Sequence, residues 1–447
     1  MDSAALKTHF KKNFTLAYPV VLSQLGHILV SVADSVMAGQ LGTLPLAAAS
    51  LGNSLFNVTL MAGLGISFSI TPLIAGADGN QNRTRIGFLL LNGFVLNLAI
   101  GLLLIAFYFV AAPLVPFLGQ PENVVELALP YLRILFFSIL PLMVFQAFKQ
   151  FAEGLALTRQ AMYISVFANL LNIGLNYILI FGKLGAPALG LNGAAWATFI
   201  ARVVMGGMMV AFVFSARRFD FYTQLFRLRN VSLAYMRRIF LFGLPISLQM
   251  IFEMGAFGFS AIMIGWLGVK ELAAHQIAIN IAAVTYMMAS GIAAAATIRV
   301  GNNRGRKDKQ GIRLAGYSSF LMVMLFMATT GLLLVLANQL IPGLYVDDPE
   351  VIQMASGLII IAALFQLSDG VQVVGLGALR GLEDVKMPSL ISLLAYWLLA
   401  LPIGYFLGFV LKLGVNGIWY GLLIGLSLAA VLLFTRFQKV LASQKSF

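Results

Sequence analysis

The sequence predicts an all-α polytopic membrane protein of about twelve transmembrane helices, in two parallel-repeat six-helix lobes with a central cavity. Three observations predict it. Of the 447 residues, 60% are hydrophobic and only 10% are charged, against about 25% charged in an ordinary soluble domain. Apolar stretches of about 20 residues, the length a spanning helix needs, recur along the whole chain. The second half also repeats the first. The alternating polar and apolar pattern of a membrane barrel is absent.

The chain opens on a short basic stretch, Met1 to Asn13, with Lys7, Lys11 and Lys12. A signal peptide starts this way. The apolar segment that follows is long and its pattern recurs later, which fits a retained first helix. Hydropathy then places helices at 14–38, 46–75, 86–111, 126–148, 159–181 and 190–215 in the first half. The second half gives 239–264, 272–298, 313–337, 351–378, 387–411 and 414–437.

Basic residues fall in alternate loops. Arg83 and Arg85 follow helix 2, and Lys149 and Arg159 follow helix 4. Arg217, Arg218, Arg227, Arg229, Arg237 and Arg238 follow helix 6, while Arg299, Arg304, Arg306, Lys307, Lys309 and Arg313 follow helix 8. Arg380 and Lys386 follow helix 10, and Arg436, Lys439 and Lys445 end the chain. By the positive-inside rule both termini of this multi-pass protein are cytoplasmic. The same placement explains the net charge of +13 without nucleic acid. The basic stretch Ser215 to Arg238 reads as a solvated linker between the lobes.

The repeat has a nearly constant offset. Ala17-Tyr18-Pro19 aligns with Gly243-Leu244-Pro245, and Met37-Ala-Gly-Gln-Leu-Gly42 with Met263-Ile-Gly-Trp-Leu-Gly268, each 226 residues apart. Gly190-Leu-Asn-Gly193 matches Gly414-Val-Asn-Gly417 at an offset of 224. Six helices per copy is an even number, so both copies share one orientation. The expected domains are an N-lobe, 1–220, and a C-lobe, 221–447. Two-lobed repeats of this kind serve alternating access.

Three acids interrupt the apolar helices: Asp34, Glu253 and Asp369. A charge at the bilayer centre costs about 2.5 to 3.5 kcal/mol even on lenient scales. None has an acidic counterpart in the other lobe, since the equivalent positions are Ser260, His27 and Met143. The scaffold is repeated and the charges are not, so the charges belong to lobe-specific chemistry. An unpaired buried carboxylate either takes up a proton or binds a cation; a Glu–Asp pair with amide oxygens suits Na⁺, a hard cation. Arg133 and Arg202 are the candidate counter-charges. Asn172 and Asn176 share one face of helix 5, and Gln276 and Asn280 one face of helix 8. These four fit a lined cavity or hydrogen bonds between helices. Pro19 and Pro245, near the starts of helices 1 and 7, serve as bends or as helix starters.

Enzyme signals fail. Cysteine is absent, so there is no disulfide frame, thiolate metal site or cysteine nucleophile. Gly375-Leu-Gly377 continues to Gly381, which is the wrong spacing for a dinucleotide site, and no phosphate-binding Gly-Lys-Ser/Thr loop exists to drive transport with ATP. His9, His27 and His275 are scattered. No cofactor is expected.

Several motifs together resemble the multidrug and toxic compound extrusion family, in its NorM-type bacterial branch. They are Asp34-Ser-Val-Met-Ala-Gly, Phe252-Glu253, Ala273-Ala-His-Gln276-Ile-Ala-Ile-Asn280, Asp369-Gly-Val-Gln, Ala378-Leu-Arg-Gly381 and Leu171-Asn172-Ile-Gly-Leu-Asn176-Tyr. The resemblance covers nearly the whole chain. It implies a twelve-helix transporter, working as a monomer, that exports bulky, often cationic organic compounds in exchange for Na⁺ or H⁺. It implies that Glu253 and Asp369 take the coupling cation, as a metal site if that cation is Na⁺. Asp34 would be the N-lobe acid near Asn172 and Asn176, and Pro19 the hinge of helix 1. Some relatives carry a tyrosine one turn before the helix-10 acid, where this chain has Phe365. A lipid-linked saccharide flippase of related architecture and a cation channel are the rival readings.

Overall fold

The computed structural model describes residues 3–443, and among these no strand occurs. Twelve helical stretches are long and apolar enough to cross a membrane, as expected. They are α1 (Lys7–Gln40), α2 (Thr43–Gly79), α3 (Arg83–Phe117), α4 (Glu122–Gly154), α5 (Thr158–Phe181) and α6 (Leu191–Ser215). The remaining six are α7 (Leu233–Gly265), α8 (Val269–Gly305), α9 (Lys309–Leu336), α10 (Pro349–Gly381), α11 (Lys386–Val410) and α12 (Gly414–Ser443).

Several helices outrun their apolar cores. The first begins at Ser3, so Pro19 lies well inside it, not near its start; Pro245 likewise lies inside a helix that begins at Leu233. Neither proline is a helix starter. α8 continues through Arg299 and Arg304 to Gly305, residues that hydropathy assigns to a loop. Hydropathy senses only the part of a helix that meets hydrocarbon. Beyond that depth arginine is a good helix former and the ladder continues into water.

By mutual contact the chain divides into two compact units, Leu22–Ser247 and Met1–Val21 with Leu248–Phe447. The expected division at residue 220 follows the sequence repeat, whereas the contacts change over at Val21 and Ser247, which are equivalent positions just past Pro19 and Pro245. In the second of these units, polar bonds hold the opening turns of α1. Asn13 is fully buried and its Nδ2 donates to the Oγ of Ser318 and of Ser319, both at 2.8 Å. Its Oδ1 accepts from Arg299 on α8. In the Leu22–Ser247 unit, Ser247 Oγ on α7 donates to the Ala62 carbonyl at 2.8 Å.

The repeated Gly-x-Asn-Gly motif has a physical reason in both units. Gly190 and Gly414 start α6 and α12 at φ of +56° and +59°, a region that L side chains disfavour. Three residues on, a Cβ at Gly193 would lie 2.5 Å from the Leu179 carbonyl oxygen, and one at Gly417 would lie 2.6 Å from Gly408 N. Each motif therefore turns the chain and lets the next helix lie against the previous backbone, the small-residue packing that membranes favour.

Prolines set the breaks. α2 is interrupted at Phe68 and Ser69, and α4 at Ser138. Pro72 and Pro141 each lack the N–H that would bond the carbonyl four residues earlier, at Phe68 and Phe137. In the same broken turns, Ser69 and Ser138 donate their hydroxyls to the Ile66 and Leu135 carbonyls, both at 2.6 Å. α11 carries two π-helical segments, Leu394–Ala400 and Phe406–Val410, with Pro402 between them. Such wide turns cluster at functional sites.

α8 and α10 meet closely in the unit that holds Glu253. Thr297 Oγ1 donates to the Gly377 carbonyl at 2.8 Å, and a Cβ at Gly377 would lie 2.4 Å from the Ala293 oxygen. This contact anchors the C-terminal half of α10, the helix that carries Asp369 and Arg380.

Candidate functional site

Glu253 on α7 and Asp369 on α10 are 5% and 3% exposed, and each lies within electrostatic reach of the other. Their surroundings differ. Gln249, one turn before Glu253, donates Nε2 to Glu253 Oε2 at 2.6 Å. Gln372, on the turn after Asp369, donates Nε2 to Glu253 Oε1 at 3.3 Å. Both amides are oriented from behind. Arg380 Nη2 donates to Gln249 Oε1 at 2.7 Å, and the Tyr396 hydroxyl on α11 donates to Gln372 Oε1 at 2.8 Å. Glu253 is therefore a carboxylate with a donor on each oxygen. Asp369 has no hydrogen-bond or ion-pair partner among the described residues.

The π-helical segment of α11 supplies part of this cradle. Tyr396 and Trp397 are consecutive, yet both turn toward α7 and α10: Trp397 Nε1 donates to the Phe252 carbonyl at 2.9 Å. Phe257, Phe365, Tyr396 and Trp419 close the adjoining space, with ring centroids 5.9 to 6.2 Å apart. Phe365, one turn before Asp369, offers only a ring face there. Trp419 Nε1 also donates to His275 Nδ1 at 3.1 Å, so this histidine is held as a hydrogen-bond acceptor. Gln276 and Asn280 bond to each other at 3.0 Å on an exposed face of α8. The structure does not bring them onto either carboxylate.

In the Leu22–Ser247 unit, Asp34 on α1 is half-buried and accepts from Asn176 Nδ2. Asn176 also donates to Asn172 Oδ1 at 3.0 Å, and Asn172 Nδ2 donates to Thr198 Oγ1 on α6 at 3.2 Å. Asn176 Oδ1 is buried with no partner among the described residues. One turn beyond Thr198, Arg202 donates to Ser138 Oγ at 2.6 Å, at the break in α4. Its guanidinium lies over the Phe56 ring, 5.0 Å from the centroid, and within electrostatic reach of Asp34. Of the two candidate counter-charges, Arg202 is thus beside Asp34; Arg133 is exposed on α4.

Sequence reasoning missed Gln249, Gln372, Tyr396 and Thr198, and it placed Arg380 in a cytoplasmic loop. Arg380 is in the last turn of α10. Helical side chains lean toward their own N-terminus, so its long stem carries the charge back up the bundle to Gln249. The polar residues one turn from each acid were the available signal. Among the described residues no three His, Cys, Asp or Glu side chains gather into a metal-binding group; the carboxylate pair stands by itself. The repeat-equivalent positions hold no charge of the same kind: Met143 is buried and Ser260 bonds the Ala256 carbonyl.

The MatE family model matches the chain twice, at residues 19–178 and 245–406. The two matches begin at Pro19 and Pro245, 226 residues apart, the offset of the repeat. The chain is 34% identical over 426 residues to the multidrug resistance protein MdtK of Photorhabdus laumondii, covering 94% of this chain and 93% of that one. It is 31% identical over 443 residues to the multidrug resistance protein NorM of Photobacterium profundum, covering 97% and 96%. The fold is similar to the crystal structure of the Vibrio cholerae MATE transporter VcmN in the bent form, with a TM-score of 0.87 at 20% identity, covering 99% of both chains. By the double match and these relatives, the chain belongs to the multidrug and toxic compound extrusion family and is a multidrug efflux transporter, not an enzyme.

Proposed function

We propose that this transporter is a secondary antiporter of the cell inner membrane that exports organic, often cationic compounds in exchange for Na⁺ or H⁺. Both termini are cytoplasmic, the chain acts as a monomer, and its working lobes are 1–220 and 221–447. The observation that carries this reading is the carboxylate pair. Glu253 and Asp369 are buried together with a single cation, Arg380, in electrostatic reach of Glu253. In a low-dielectric interior such a pair demands a cation. In the outward-open state the pair takes up the external cation and organic substrate leaves. The cation leaves on the cytoplasmic side, where substrate binds. Coupling exists only because the two states bind each ligand with different affinity. Every elementary charge moved across 100 mV contributes about 2.3 kcal/mol.

In the N-lobe, Asp34 with Asn172 and Asn176 contacts the substrate. Gln276 and Asn280 line the substrate path. Pro19 is the hinge of α1, because it removes one helical hydrogen bond beside the point where contacts change from one unit to the other.

Family likeness favours Na⁺. A proton is the second reading, and the donor set favours it: an N–H already donates to each oxygen of Glu253, Phe365 supplies no oxygen, and Asp369 accepts no hydrogen bond among the described residues. The test is flux of a fluorescent organic cation in proteoliposomes under imposed Na⁺ or H⁺ gradients. Uptake should follow one gradient and be lost in Asp369→Asn. Current without countertransport would identify a channel instead.

A further inference from the structure

We propose that Arg380, acting through Gln249, is the resident counter-charge of the Glu253–Asp369 site, and that the site therefore exchanges one monovalent cation per cycle and not two. The inference deepens the antiporter reading and rests on it. Guanidinium is always charged and has no acceptor. Gln249 must therefore present its Oε1 to Arg380, which leaves its Nε2 for Glu253. The side-chain amide is a fixed link between the positive and the negative group. It lets Arg380 sit at the end of α10, half-buried, while its field acts on Glu253.

The charge balance follows. The other groups facing the pair are phenols, Tyr286 from α8 and Tyr396 from α11, uncharged in the physiological range. Two carboxylates against one guanidinium leave one net negative charge, which a single Na⁺ or H⁺ neutralises. A second cation would leave the site positive beside a guanidinium that cannot release its charge. The other unit offers a contrast: there one carboxylate, Asp34, has one guanidinium, Arg202, within electrostatic reach.

The experiment is the coupling ratio of the full-length protein in proteoliposomes, with the membrane potential clamped at zero. At a tenfold gradient of the driving ion, the equilibrium gradient of a fluorescent monovalent organic cation is about tenfold for one ion and about a hundredfold for two. The wild-type protein is expected at about tenfold. Arg380→Gln removes the resident charge and should move the ratio toward two ions, whereas Arg380→Lys, which keeps the charge, should hold it at one. A merely structural role for Arg380 would lower the rate in both variants without moving the ratio. A wild-type ratio of two overturns the proposal whatever the variants do, as does a folded Arg380→Gln that still exchanges one ion. Absence of any gradient-driven flux in the wild type overturns the antiporter reading itself, and this proposal with it.

Discussion

Asp34 and the Glu253–Asp369 pair occupy two copies of one six-helix scaffold, yet they are furnished in opposite ways. Asp34 accepts from Asn176 and has Arg202 within electrostatic reach; a row of amides stands behind it. The pair in the other unit has donors on Glu253 only, and leaves Asp369 without a partner among the described residues. Duplication supplied equivalent backbones, and the two units carry their acids at inequivalent positions. On the proposed reading, the Asp34 site recognises substrate and the Glu253–Asp369 site senses the ion.

The sharpest way to break the comparison is to neutralise each acid in turn. Asp369→Asn should lower gradient-driven transport by more than about a hundredfold, beyond what is lost when only an orienting partner is removed. Asp34→Asn should instead raise the half-saturating substrate concentration by about 5- to 30-fold, the equivalent of 1 to 2 kcal/mol, with the coupling ratio unchanged. Equal loss of coupling in both variants would end the division of roles.

Next in size is the scaffold beneath each site. Gly193→Val and Gly417→Val place side chains against backbone 2.5 and 2.6 Å away, and each should cost at least about 3 kcal/mol. Thermal unfolding in detergent would show two similar shifts, because the packing is repeated even though the chemistry is not. Arg202→Gln should cost about 1.5 to 3 kcal/mol through its bond to Ser138 and leave Asp34 uncompensated. The readout that matters is ion dependence: a second, Asp34-linked dependence on the coupling ion should appear, and its absence would show that Arg202 serves only the break in α4. The smallest effect is expected from Phe365→Tyr. It adds one oxygen beside Asp369 and should improve the Na⁺ to H⁺ preference by less than about tenfold, measured as the shift in half-activating Na⁺.

Much of this was legible in the chain. Twelve apolar stretches, the 226-residue repeat and the three acids within apolar helices are local properties. The link between Asn172 and Asn176 was equally readable, since helical spacing alone places them together. The cradle of Glu253 was not. Gln249 and Gln372 lie on different helices, Tyr396 faces the site from a π-helical segment, and Arg380 looked like an ordinary loop cation. Hydropathy weighs each of them as a polar residue near an apolar run and carries no information about direction. The changeover of contacts after Pro19 and Pro245 was also invisible, because a repeat marks where copies begin and not which helices they pack against.

The sequence by itself determined the class, the number of spans and which residues are too costly to be in a membrane without purpose. Those follow from the free energy of moving each side chain out of water, which is additive along the chain. Only the tertiary structure decided which of those charges are balanced. Electrostatic energy depends on separation and on the orientation of intervening dipoles, and these are set by helix contacts: Gly377 on Ala293, Gly417 on α11, Arg380 on Gln249. For Asp34 and Asp369 that difference separates an acid with a guanidinium in electrostatic reach from one with no hydrogen-bond or ion-pair partner among the described residues.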